Sequence, residues 1–288
     1  MQISRLFKEK KTVLSMEVFP PKKTSSIDTI YTTLGDLQEL KPDFISVTYG
    51  AGRNAGDTLT CDIASTIKYQ YGIEPLAHLT CVNYTRDEID LILDHLQQKG
   101  IENILALRGD INPDIAPKHE FRYAGELVSY IRERGGFHVS GACYPEGHID
   151  ADNLNNDIDH LKRKVDAGAE HLISQLFFDN SYFYTFLEKA RSTDIMVPVE
   201  AGIMPVVNKA QIERMVTLCG ASLPAKFTKM MQRFEHSPEA LRDAGIAYAV
   251  DQIVDLISQG VEGIHLYTMN NSLIAKRIYE SIKGLIQS

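Results

Sequence analysis

A closed (β/α)8 barrel, with parallel strands inside and helices outside, is the α/β fold that the sequence predicts. Three observations predict it. Eight apolar runs of strand length recur along the 288 residues, at 13–19, 43–49, 75–81, 103–108, 137–144, 171–178, 197–204 and 262–268. Helical patterns separate them, at 27–39, 87–98, 122–134, 154–167 and 239–259, and strict alternation with short joints implies a parallel sheet. Three of the joints share the pattern G-x-E-x-[IL], beginning at Gly100, Gly168 and Gly260; glycine is expected just past a helix end, leading into the next strand. Eight such units in this length close into one barrel domain, residues 1–288, with an extra helix in 205–238 between strands 7 and 8.

The first run, Val13 to Phe19, stops at Pro20-Pro21, which cannot donate ladder hydrogen bonds. It carries Glu17 near its end, where a carboxylate is costly to bury unless something uses it. The second run ends in Thr48-Tyr49-Gly50 and the third in His78-Leu79-Thr80. The fourth ends in Arg108-Gly109-Asp110, which offers a cation for an anionic group, a carboxylate, and a glycine that lets the backbone approach closely. A tight turn closed by a local ion pair is the plainer alternative. The fifth run ends in Tyr144-Pro145-Glu146, the sixth carries Gln175, the seventh reaches Pro205 and the eighth ends in Tyr267-Thr268. A barrel gathers strand ends at one mouth, so these distant residues become neighbours.

Other patterns carry less. Gly50 to Ala55 matches G-x-G-x-x-[GA] and admits an NAD-dependent dehydrogenase as an alternative, but the next strand ends in His78 and Thr80, without the acid that fingerprint requires. Asp157, His160, Leu161 and Lys164 share a helix face, either as solvated charges or as a stripe that holds a nucleotide tail. His148 is a candidate proton carrier, and Tyr182 to Phe186 follow an Asp179 cap as pocket wall. The formal charge of −8 and absence of a basic stripe argue against a nucleic-acid partner. No apolar stretch is long enough for a membrane span, and four dispersed cysteines suggest neither a disulfide framework nor a metal site. A cytoplasmic protein is expected.

Met16-Glu17-Val18-Phe19-Pro20-Pro21, Ser46 to Ala51, His78-Leu79-Thr80-Cys81, Ala106 to Asp110, Tyr144-Pro145-Glu146 with His148, and Lys162 to Ala169 leading to Gln175-Leu176-Phe177-Phe178-Asp179 occur in that order. Together they resemble the motifs of methylenetetrahydrofolate reductases over roughly residues 13–270, in the form without the eukaryotic regulatory domain. The resemblance implies an FAD-containing TIM barrel that reduces 5,10-methylenetetrahydrofolate to 5-methyltetrahydrofolate by a ping-pong scheme, within one-carbon metabolism and methionine biosynthesis.

It further implies that Glu17 is the general acid, protonating a folate nitrogen so that the opened ring accepts hydride from reduced flavin. A glutamate in a partly desolvated mouth is expected to stay protonated near neutral pH. Asp110 is implied beside flavin and folate, Gln175 at donor and folate, and Thr48 at the same mouth. FAD contacts are implied for Thr48, Tyr49, Ala51, His78, Arg108, Gly109, Asp110, Tyr123, Ala124, Tyr144, His148, Asp157, His160, Arg163 and Lys164. Lys209, Asn271, His160 and the loop Gly52 to Asp57 depart from forms found in some members. These departures leave the electron donor open among NADH, NADPH and a partner electron-transfer subunit; in the last case the chain is one barrel subunit of a larger complex. Whether it forms a homo-oligomer is also open.

Overall fold

Eight parallel strands close on themselves in sequence order, the first pairing with both the second and the eighth. The structure, a computed structural model, describes residues 1–21, 26–49, 58–110 and 117–287, and the side chains of Lys209, Gln211, Arg214 and Leu218 lie outside the description. Ala51 and the loop Gly50 to Ala55 fall outside it too. That loop nonetheless follows the second strand of a closed barrel, so its glycines lack the doubly wound sheet on which a dinucleotide fingerprint depends.

A 3-10 turn Ile3–Arg5 and helix α1 Leu6–Glu9 precede the barrel. The alternating units are β1 Val13–Val18 with α2 Asp28–Gln38, β2 Phe44–Val47 with α3 Leu59–Tyr69, and β3 Glu74–Thr80 with α4 Arg86–Gln98. Next come β4 Asn103–Leu107 with α5 Ala124–Arg134, β5 His138–Cys143 with α6 Leu154–Asp166, and β6 His171–Ser174 with α7 Asn180–Ser192. Strand β7 Val199–Ile203 is followed by α8 Lys209–Cys219, α9 Ala225–Phe234 and α10 Pro238–Ser258, then β8 Gly263–Tyr267 and α11 Ser272–Ile286. The insertion between strands 7 and 8 thus holds α8 and α9 in addition to the long α10. The repeated joint glycines, Gly100, Gly168 and Gly260, take φ of 65°, 116° and 81°, the left-handed conformation that ends a helix without a Cβ clash.

Local sequence accounts for the elements. On α4, Thr85 and Glu88 form a capping box, and Ile89, Ile92, Leu93 and Leu96 recur at helical spacing to bury one face. Asn153 caps α6 and Asp179 caps α7 through side-chain oxygens. On β1 the pleat sends Leu14, Met16 and Val18 into the core shared with the helices, while Val13 joins an inner cluster. That cluster of Ile3, Leu6, Val13, Phe44, Leu76, Leu105 and Ile173 closes the strand-start end of the barrel. A separate cluster of Leu176, Phe178, Met204, Val206, Ile212, Phe227 and Met231 packs α8 and α9 over the ends of β6 and β7, so the insertion builds one wall of the mouth. Among the described residues no helix is long and apolar enough to cross a membrane.

The barrel interior departs from the branched apolar filling usual for this fold. Ser15, Ser46, His138, Ser140, His171, Glu200 and His265 are all fully buried, and His78 nearly so. Burial lowers His78 to about 4, and it lowers His138 and His171 to about 3. These three rings stay neutral in the folded chain at pH values where unfolded histidine has taken up a proton. The unfolded state therefore binds more protons between about pH 6.5 and the folded values, and stability must fall as pH falls through that window. Glu200, raised by burial to about 8, acts with the opposite sign between about 4.5 and 8, but it is one group against three. Denaturant midpoints measured across this range should drop steadily toward acid. His138→Phe, which removes one titrating ring, should flatten the slope; an unchanged slope would mean the ring is protonated when folded.

Candidate active site

Glu17 lies on the inward face of β1, one residue from its end, and its neighbours in register are Ser46 on β2 and Tyr267 on β8. The chain around it is latched to the end of β8. Thr268 donates its hydroxyl to the Glu17 carbonyl at 2.6 Å, and Asn270 both accepts from the Phe19 amide at 3.0 Å and donates to the Phe19 carbonyl at 2.8 Å. Met269 and Asn270 hold φ of 52° and 55° to make that return, strained backbone that the latch maintains.

The Glu17 carboxylate sits between two imidazoles. His78 Nε2 from β3 and His265 Nε2 from β8 each lie 3.5 Å from the same oxygen, Oε2. Burial pushes the Glu17 carboxyl up, as expected for a barrel mouth. The two imidazoles, His265 foremost, and a smaller pull from Ser46 outweigh it, so the net direction is down. With nothing bound, Glu17 is thus an ionised carboxylate near neutral pH. The protonated acid expected of a desolvated mouth is therefore not the form found here, because His78 and His265 converge on the carboxylate.

The other strand ends complete the rim. Thr48 continues the ladder past β2, its amide donating to Val18 O at 3.0 Å, and Tyr49 packs edge-to-face on Tyr84. Cys81 and Val82 amides both donate to the Arg108 carbonyl, which fixes the Arg108-Gly109-Asp110 turn against the end of β3. A Cβ on Gly109 would meet Thr80 Cβ at 2.9 Å, so only glycine lets the two strand ends lie this close. Arg108 pairs with Asp150 at 2.9 Å instead of with its neighbour Asp110, which is exposed at the rim. Gln175 donates its amide to Cys143 O at 2.7 Å, and its side-chain oxygen accepts from Leu176 N at 2.9 Å. Tyr144 stands edge-to-face on His148, and burial raises its hydroxyl, with Asp157, Arg108 and Asp110 close enough to contribute. Burial likewise raises Tyr267, which feels Glu17, Cys219, Cys143 and Tyr144. The same mouth therefore carries Glu17, Arg108, Asp110, Tyr144 and Asp157.

The helix α6 stripe divides. Asp157 turns inward and accepts from the His148 amide at 3.2 Å, while burial raises its carboxyl. Lys164 runs beneath the end of β5 and donates to Ala142 O at 2.7 Å; burial lowers its ammonium. His160 and Arg163 are exposed, as is Tyr123, and Ala124 begins α5. Asn271 caps α11 by accepting from Ile274 N at 3.1 Å. Glu146 accepts from the Ser222 amide through both oxygens, tying the loop after β5 to the α8–α9 connection.

Sequence reasoning did not single out His265, Ser15, Glu200, His171 or Asn270. The available signal was an acid inside the apolar run Val199 to Ile203 and a histidine two residues before Tyr267, both at inward positions of a period-two pattern.

Comparison with known proteins finds relatives over most of the chain. The family model described as methylenetetrahydrofolate reductase matches residues 2–283. A 5,10-methylenetetrahydrofolate reductase of Pectobacterium carotovorum is 36% identical over 269 residues, 93% of this chain and 89% of the relative, and that of Escherichia coli K12 is 36% identical over 93% and 90%. An Arabidopsis thaliana protein named methylenetetrahydrofolate reductase (NADH) 1 is 34% identical over 93% of this chain but 48% of its own length. Among solved structures, a Clostridium thermocellum protein that binds two copies of 5-methyl-5,6,7,8-tetrahydrofolic acid superposes with a TM-score of 0.67 at 12% identity, covering 99% of both chains. That last likeness is one of fold.

Proposed function

The chain belongs to the methylenetetrahydrofolate reductase family, and from that premise we propose that it reduces 5,10-methylenetetrahydrofolate to 5-methyltetrahydrofolate, with Glu17 as general acid, FAD as cofactor and a nicotinamide nucleotide as donor. One observation carries the assignment of the acid: a carboxylate held at the inner rim of the barrel between His78 and His265, 3.5 Å from each. NADH is favoured as donor by the names of the plant relatives.

The rim residues fit a flavin dinucleotide. Gly109 provides a close backbone approach, Tyr144 and His148 an aromatic wall, and Arg108, His160 and Arg163 a set of donors for phosphates and ribose. Near the end of β3, His78 Nε2 and Asn83 Oδ1 are buried without a hydrogen-bond partner, and such atoms call for a polar ligand. The family resemblance adds Thr48, Tyr49, Asp110, Tyr123, Ala124, Asp157 and Lys164 to this set, and Ala51 lies outside the described residues. When bound, FAD carries hydride from the donor to the folate methylene carbon in alternate half-reactions.

The chain's own residues handle the proton and the orientation. A ring system laid over the mouth removes water from Glu17, which strengthens the burial contribution already opposing ionisation and returns the carboxyl toward its acid form. The latch from Thr268 and Asn270 fixes the direction in which that acid points. Asp110, exposed just past β4, would accept from the donors of a pterin, and Gln175, whose side-chain oxygen is held by the Leu176 amide, would turn its side-chain NH2 toward donor or folate.

Glu17→Gln should leave flavin bound and reducible by its donor while folate reduction falls on the order of 10²-fold or more, measured by stopped-flow of each half-reaction. Near-normal folate turnover would remove Glu17 from the mechanism. Asp110→Asn should slow the folate half-reaction more than flavin reduction; equal losses would contradict a folate-facing role. Anaerobic titration with NADH and NADPH in the absence of any partner protein identifies the donor, and failure of both would point to an electron-transfer subunit.

A further inference from the structure

A second carboxylate, Glu200, lies buried behind Glu17, and the chemistry above makes no use of it. It occupies an inward position in the middle of β7, opposite Gly263 on β8, where a Cβ would meet Glu200 Cγ at 2.6 Å. Space has been left for the acid. Ser15 Oγ is 2.9 Å from Glu200 Oε1, and the same hydroxyl is 2.6 Å from His265 Nδ1. The other nitrogen of that ring, Nε2, faces Glu17 Oε2 at 3.5 Å. Four side chains from β7, β1, β8 and β1 again thus line up from the barrel centre to the mouth, joined by two hydrogen bonds and a last 3.5 Å approach at which His265 Nε2 makes no hydrogen bond, and every member except Glu17 is fully buried.

We propose that Glu200 stores the proton that Glu17 delivers, and that Ser15 and His265 carry it between them. The inference rests on the reading of Glu17 as the acid of folate reduction. The line has two balanced arrangements. In the first, Glu200 is a neutral acid donating to Ser15, Ser15 donates to His265 Nδ1, and His265 Nε2–H faces ionised Glu17 across 3.5 Å, a gap that must shorten for the proton to cross. In the second, each O–H or N–H bond along the line has broken and its proton has joined the next acceptor. Glu17 is then the acid, His265 carries its proton on Nδ1, Ser15 donates to Glu200, and Glu200 is the carboxylate. One proton has moved outward and one negative charge inward, with no ion formed on the ring or the hydroxyl.

The surroundings favour the first arrangement while the mouth is open. Around Glu200 stand Ser15 from β1, Asp43 before β2, His171 from β6 at 3.0 Å and His265 from β8. Burial dominates there and pushes its carboxyl up to about 8, so it holds a proton at neutral pH. Around Glu17 stand Ser46, His78, His265 and Tyr267, and the net direction is down. Covering the mouth reverses the preference by removing water from Glu17 alone. Glu17 can thereby face solvent as a stable carboxylate between turnovers and still be an acid when substrate is enclosed.

Glu200→Gln tests this, because the amide keeps the size and a hydrogen bond to Ser15 but releases no proton. In the ligand-free protein labelled with 13C at glutamate carboxyls, one signal should titrate near pH 8 and vanish in Glu200→Gln. With flavin reduced beforehand, single-turnover folate reduction should slow by about 10-fold in Glu200→Gln and lose its alkaline limb, with flavin reduction by the donor as control. Ser15→Ala should slow the same step while leaving the titrating signal in place, and Ser15→Thr, which restores a hydroxyl, should recover it. Absence of any glutamate titrating above neutrality, or a Glu200→Gln rate and pH profile matching the unaltered protein, overturns the relay. A protein that shows the signal but reduces no folate overturns the functional reading instead.

Discussion

The contact on which the rest depends is the approach of two imidazoles to one oxygen of Glu17. It requires a closed barrel, because β1 reaches β8 only through closure and β3 only across β2. A polar interior is also required, since a ring on His265 that contacts Glu17 with one nitrogen must satisfy the other, and Ser15 does so. Ser15 in turn brings Glu200, and Glu200 brings His171 and Ser140. These polar groups follow one another through the barrel, with His171 Nε2, Glu200 Oε2 and His265 Nε2 in close approach without hydrogen bonds, and the apolar plug from the N-terminal segment closes the far end.

Such an interior is an unfavourable way to fill a barrel if stability were the only demand. Neutral histidines and a raised glutamate are the forms that burial permits, and both are reached by giving up charge. The surrounding shell of helices supplies the compensating apolar contact, with α8 and α9 adding a further cluster that also walls the mouth. The division of labour is spatial: the outer faces of the strands build the core, and the inner faces hold the chemistry.

Much of this was legible in the order of residues. Strand positions and the glycine joints followed from periodicity, and the rim followed from what ended each run: Glu17, Thr48, His78, Arg108 to Asp110, Tyr144 and Gln175. Motif order identified the family. The column behind the rim was not legible, because its members stand far apart in the chain, at 15, 171, 200 and 265, and only register brings them level. Lys164 shows a related limit. Its helix face was evident, but not that Gly141 leaves a channel through which its stem reaches the Ala142 carbonyl. The ionised state of Glu17 escaped for the same reason, since it depends on His265, which carried no motif.

The most direct measurement is a structure of the protein with FAD and the folate bound. The predicted result has the Glu17 carboxyl within about 2.6–3.2 Å of a folate ring nitrogen, directly or through one water, and the flavin ring bordered by Thr48, Asp110 and Gln175. A folate bound away from Glu17, with that carboxylate still enclosed by His78 and His265 alone, would contradict the assignment.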